Sequence, residues 1–342
     1  MNSKYHSFLI YAIPLIVTLG ISAILTQQVR QVAFSHSDNI TTFYSYSNGI
    51  VKYKFLRQEW RPRILSNFLA GRFVNLFDGS GSSASKPEVI KSVIAYWVAA
   101  WFLLIGLVLT IFIKERALLY ILGIYAGISF AYMPGMGVTR VYPWDMPALF
   151  AFCCFILMVM RNKEAWLVLF IPLAVLFKET AIVMIVGLLF MQGVTRRRKL
   201  IYTGAALVAA LAVKTAVDLV TGNPSPLFTM TYRISDLYII AGYLREPVTA
   251  GFSFQTSRLL ENLREIAQCQ LDTPFFVNAG LLLALFILPF RDRVIIMLKV
   301  TALLFTLGIL AFGVINEFRI WFEMIPVSLY ALDVYFFRVD GE

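Results

Sequence analysis

The chain has 342 residues and a mean hydropathy of +0.74, with 59% of its residues hydrophobic, a composition that excludes a water-soluble globular domain for want of polar surface. Its formal charge of +10 follows from membrane topology and calls for no nucleic-acid partner. Three cysteines, Cys153 and Cys154 adjacent in an apolar run and Cys269 far from them, form neither a disulfide framework nor a zinc site.

Apolar runs fit to cross about 30 Å of hydrocarbon recur along the chain. In order they cover 7–26, 93–113, 117–133, 146–160, 165–177, 180–193, 200–220, 275–290, 294–313 and 320–337. The predicted fold class is therefore all-α, a polytopic membrane protein of about ten helices in a single transmembrane domain spanning 1–342, with long loops at 27–92 and 221–274. The first run is read as an anchor, since it lacks the small-x-small cleavage pattern of a secretory signal. No internal repeat, low-complexity tract or nucleotide-binding glycine loop is visible.

Orientation follows from the short connections, where Lys and Arg are retained in the cytoplasm. Lys114 and Arg116, Arg161 and Lys163, Arg196 to Lys199, and Arg291 and Arg293 fall on one side when the runs alternate. Both termini are then cytoplasmic and both long loops extracytoplasmic, in a membrane expected to be a bacterial inner membrane. The 27–92 loop carries nine Lys/Arg against four Asp/Glu, an excess on the outer side that asks for a chemical reason. Asn39-Ile40-Thr41 is a formal glycosylation sequon, a triplet common by chance and given no weight.

Each long loop contains an amphipathic pattern. From Pro62, Ile64, Leu65, Phe68, Leu69, Phe73 and Leu76 recur at helical spacing, with Arg63, Asn67 and Asn75 on other faces, which predicts a helix in the headgroup region. In the second loop Leu259, Leu260, Leu263, Ile266 and Ala267 repeat the device after Thr256-Ser257. Two interfacial helices of this kind would wall a cavity at the outer leaflet.

Polar residues stranded near membrane depth are the candidates to line it. Arg140, Tyr142, Trp144 and Asp145 occupy a short outer turn, and Lys178-Glu179 interrupts the apolar stretch from Ala165 to Met191. Each half of that stretch rises only about 20 Å, so the pair should lie below the outer surface, in protein or water. Blander readings stand beside these. Lys178-Glu179 also fits a hairpin turn whose charges reach water, and Arg61 and Arg63 also fit anchors for anionic headgroups. Lys214 and Asp218, four apart, are read as neutralising each other. Lys299 is read as snorkelling to the cytoplasm, and Asp333 has no evident partner.

Taken together, these segments resemble the GT-C superfamily of integral-membrane glycosyltransferases. The resemblance rests on a first span followed by a long outer loop with an early acid, Ser37-Asp38-Asn39, and on Trp60-Arg61-Pro62-Arg63-Ile64-Leu65 leading into the loop helix. It also rests on Phe177-Lys178-Glu179-Thr180 at an outer helix junction and on Asn316-Glu317-Phe318-Arg319 opening a late span, with Pro326 beyond. It covers the whole length as architecture and about four short segments as motif. The resemblance implies a donor sugar on a polyprenyl phosphate, taken up from the outer leaflet, and a glycan, lipid or protein acceptor. The chain departs from the pattern in having no paired acidic dipeptide in the first loop and no soluble domain after the last span, which leaves metal dependence and a peptide acceptor open.

Inverting sugar transfer needs a carboxylate to deprotonate the acceptor hydroxyl and cations to stabilise the departing phosphate. Asp38 is the expected catalytic base, though it also fits an ordinary solvated loop acid. Arg61, Arg63, Lys178, Arg319 and Arg140 are the expected phosphate ligands. Glu179, Glu317 and Asp145 are expected to orient them, and Tyr142 and Trp144 either stack on a sugar or belong to the interfacial aromatic belt. No resident cofactor is expected, and the need for a divalent metal is left open. Rival classes are a polymerase or ligase using a polyprenyl-pyrophosphate glycan, a transporter or flippase, and a membrane acyltransferase in which His36, two residues from Asp38, is the base.

Overall fold

In hydrocarbon every backbone N–H and C=O must find its partner within the chain, and helices do this locally. The computed structural model describes residues 3–33, 63–77, 87–129, 132, 141–220, 260, 263–264, 280, 282–289, 292–312 and 318–337, and among them every regular element is helical. The α-helices are α1 (Ser3–Ala33), α2 (Ile64–Phe77), α3 (Pro87–Ile113), α4 (Ala117–Ser129), α5 (Asp145–Met160), α6 (Leu167–Phe177), α7 (Ile185–Leu189), α8 (Arg196–Val220), α9 (Arg293–Phe312) and α10 (Ile325–Phe337). Short 3-10 turns occupy Lys114–Arg116, Glu164–Trp166, Glu179–Met184 and Phe318–Met324, and 282–287 is also helical. Among the described residues four stretches are long and apolar enough to cross a membrane: Phe8–Val32, Lys91–Ser129, Arg196–Val217 and Arg293–Leu310.

The first of these extends beyond its expected run, and the second is the two expected runs 93–113 and 117–133 joined by a turn. At 31 residues α1 is about 46 Å long, so it continues past position 26 into what was read as loop. Gln27 and Gln28 end the apolar pattern but are good helix formers, so nothing stops the helix there. Lys91–Ser129, conversely, is a hairpin: Lys114 adopts a left-handed φ of 54°, and α3 and α4 fold back on each other. Asn162 (φ 51°) and Gly193 (φ 65°) play the same part in the α5–α6 and α7–α8 turns. Gly193 is suited to this conformation because it has no Cβ to strain.

The strongest packing is α1 against α3, where Gly106 admits Thr18: a Cβ on Gly106 would lie 2.3 Å from the Thr18 methyl. Gly123 accommodates Leu329 between α4 and α10 in the same way. Small residues replace large ones at such contacts because lipid is as apolar as a protein core, and close approach of backbones is what favours association.

The same rule accounts for the packing of α2. Its protein-facing side is Ser66, Asn67, Ala70, Gly71 and Val74, packed on α3 and α6, whereas Phe68, Leu76 and Phe77 face outward. Asn67, expected on another face, is fully buried.

One end of the bundle is closed by basic side chains that cap helix carbonyls. Arg161 donates to the Phe112 carbonyl, and Arg293 to that of Met191 at 2.9 Å. Lys299 does not snorkel to water. It is buried and donates to the carbonyls of Leu288 and, at 3.0 Å, Phe286, which end the preceding helix. Asp333 does have partners: Arg116 binds both its oxygens at 2.8 and 2.9 Å, and the Tyr120 hydroxyl donates to it at 3.2 Å. For Lys214 and Asp218, the Asp218 side chain lies outside the described residues.

Candidate functional site

At the opposite end the chain brings together residues far apart in sequence. The α6 helix stops where Lys178 turns extended (φ −161°, ψ 136°), and a 3-10 turn starts at Glu179, its acid in the first turn as the helix dipole favours. Across this break lies the start of α2, whose Ser66 hydroxyl donates at 3.2 Å to the Phe177 carbonyl left open by the end of α6. Phe73 meets Trp97, and Trp97 meets Trp101, which in turn contacts Phe177. This aromatic row seats α2 on α3 and α6.

Arg63, just before α2, is thereby set against Glu179, 116 residues away. Its Nε donates to Oε2 at 3.2 Å and its Nη2 to Oε1 at 3.1 Å, a two-point pairing that a planar guanidinium suits. The Arg63 side chain is 8% exposed and Glu179 32%, so the carboxylate is the partner in reach of solvent or ligand. The guanidinium carbon also lies 4.3 Å from the Trp144 ring centroid, and Tyr142 stacks on Trp144 at 4.6 Å. Trp97 holds the turn beneath by donating to the Pro143 carbonyl at 3.1 Å, and Asp145 accepts the Tyr142 backbone N–H at 3.4 Å.

Lys178 and Glu179, adjacent in sequence, go to different partners. Lys178 is buried and pairs with Glu323, which also accepts the Thr180 hydroxyl. Asp145 adds a like charge near that carboxylate. Lys178 is thus not in a hairpin turn reaching water.

Several expectations change accordingly. Glu179 orients Arg63. Tyr142 and Trp144 are buried at 7% and 2% exposure, with each other and Arg63 as neighbours, so neither is an exposed sugar platform nor a member of a lipid-facing belt. Asp145 serves the Tyr142–Trp144 turn. Asp38, Arg61, Arg140, Glu317 and His36 lie outside the described residues, as does the Arg319 side chain, although its backbone falls in the Phe318–Met324 turn. Of the second-loop helix only 260 and 263–264 are described, and they are helical.

The residue that sequence reasoning missed is Glu323. The signal was present, since an acid in the apolar segment Ile320-Trp321-Phe322-Glu323-Met324 is as costly in a membrane as the Lys178 that drew notice.

Among the described residues Arg63 and Lys178 stand with three acids, Glu179, Glu323 and Asp145. Among the described residues no group of three or more His, Cys, Asp or Glu is placed to hold a metal ion.

Fold and site together define a class: a helical membrane protein whose buried ion pairs gather at one end of the bundle, under a short helix with apolar residues facing outward. In comparisons with protein-family models, curated proteins and solved structures, nothing matches this chain.

Proposed function

We propose that the protein is a membrane glycosyltransferase that moves a sugar from a polyprenyl-phosphate donor to a glycan, lipid or protein acceptor on the extracytoplasmic side. The observation that carries this reading is the meeting of Arg63 with Glu179, which joins the segment leading into the loop helix to the broken-helix junction at one end of the bundle. These are two of the segments on which the resemblance to the GT-C superfamily rests. In this reading the chain crosses the membrane about ten times, with both termini cytoplasmic and the Arg63 end outside.

Asp38 is the base that takes the acceptor proton as the glycosidic carbon passes from phosphate to acceptor oxygen, with inversion. The departing phosphate is stabilised by Arg61, Arg63, Lys178, Arg140 and Arg319. Glu179, the more exposed partner of Arg63, gives up or shares the guanidinium when phosphate arrives.

The test is release of free polyprenyl phosphate from a panel of polyprenyl-phosphate sugars, followed by mass spectrometry with membrane extract as the acceptor source. Wild type is expected to release the lipid and Asp38→Asn to lose most turnover while still binding the carrier. Equal turnover in both proteins removes Asp38 as base. Repeating the assay with a chelator reads out any need for a divalent ion.

A second reading has its own observation. The interrupted helix 167–189, with the buried Lys178–Glu323 pair at the break, is also a device of secondary transporters. Flux of lipid-linked sugar across proteoliposomes without release of polyprenyl phosphate would favour it.

A further inference from the structure

The end of the bundle away from Arg63 carries an excess of basic over acidic side chains among the described residues. The α5–α6 turn, the α7–α8 turn and the start of α9 converge there, with Asn162, Glu164, Gln192 and Arg293 lining one cleft. Lys199 is close enough to feel both Arg293 and Glu164. Around the cleft Arg161, Lys163, Arg196, Arg197 and Arg198 are exposed, and no acid occupies the first turn of α8.

The nearby acids do not offset these cations. Glu164 is turned inward at 7% exposure, and burial pushes its carboxyl up, opposed by its own backbone N–H and by Arg293 and Lys199. Asp292, which accepts the Val294 N–H at 2.7 Å, and Glu115 are outnumbered by Arg161, Lys163, Arg196, Arg197 and Arg198.

What lies beside the cations identifies the counter-charge. The α6 and α8 helices pack together, and their outward residues adjoin the basic cluster: Trp166, Leu169, Leu200 and Ile201 are 61%, 65%, 58% and 55% exposed. A free anion would use the cations and leave this apolar strip bare. A phospholipid uses both, its headgroup at the arginines and its chains along the strip.

We propose that this surface binds an anionic phospholipid, with the phosphodiester held by Arg196, Arg197, Arg198 and Lys163 and the acyl chains lying on the outward face of α6 and α8. The site is separate from the Arg63 cluster and independent of any reaction there.

The experiment is native mass spectrometry of the detergent-purified protein with dioleoylphosphatidylglycerol or dioleoylphosphatidylcholine, identical in chains and different in net charge, with inorganic phosphate as a competitor. Phosphatidylglycerol is expected to be retained in preference. Arg197→Gln should lower that retention about fivefold, the effect of one cation at an anionic surface. Changing all three arginines to Gln should bring it to the phosphatidylcholine level. Arg72→Gln, on an exposed residue of α2, should leave it unchanged. Raising ionic strength should reduce the wild-type preference without any mutation. Equal retention of the two lipids, an unchanged preference in the triple variant, or displacement of phosphatidylglycerol by equimolar inorganic phosphate each overturns the proposal, the last by making the site one for free phosphate.

Discussion

Lys178 and Glu323 show how much a single buried charge depends on its partner. Both are almost completely enclosed, at 6% and 1% side-chain exposure, so each is tolerable only because the other is present. Glu323→Leu leaves an uncompensated ammonium and should destabilise the detergent-solubilised protein by about 3–5 kcal/mol, read as a drop in thermal midpoint. The double variant Lys178→Met/Glu323→Leu should recover most of that loss. If the single and double variants unfold alike, the pair is not what holds this break in the helix. The pairing itself was not legible from either residue. Lys178 was visible as an ion at membrane depth, but its carboxylate comes from 145 residues away, and the adjacent Glu179 was the nearer candidate in sequence.

Among the elements, α1 and α3 depend on one close approach. With Gly106 facing Thr18, Gly106→Ala inserts a Cβ at 2.3 and 2.5 Å from the Thr18 methyl and hydroxyl. Overpacking of this kind should cost about 1–3 kcal/mol. Thr18→Ala removes both of those atoms and leaves only its Cβ, 2.9 Å away, so Gly106→Ala/Thr18→Ala should regain part of it in the same melt. Additive losses would mean that the two positions do not touch. The α2 helix marks the limit of periodicity at this scale. Its apolar residues repeat at helical spacing, and a helix forms there, yet periodicity alone does not say which face meets protein. In a bilayer the large apolar face has an equally apolar alternative in lipid, and the small face of Ser66, Ala70 and Gly71 takes the protein contact.

At the scale of the whole molecule the chain sorts its charges to two ends. Arg116–Asp333, Arg161–Phe112 and Arg293–Met191 close one, and Arg63–Glu179 and Lys178–Glu323 the other. If this polarity is the membrane topology, Glu115→Cys and Asn162→Cys should react with an impermeant maleimide from one side of sealed vesicles and Arg72→Cys from the other, in a background with Cys269→Ser. Labelling of all three from one side would contradict it. The sequence by itself determined the helical membrane class and the position of most helices, because apolar run length and the cost of an unpaired backbone group in hydrocarbon are local properties. Only the tertiary structure decided which carboxylate neutralises which cation and which face of α2 meets protein. Ion pairing depends on helices meeting across more than a hundred residues, and an apolar side chain gains as little from a protein interior as from lipid, so neither choice is written in the spacing of any one segment.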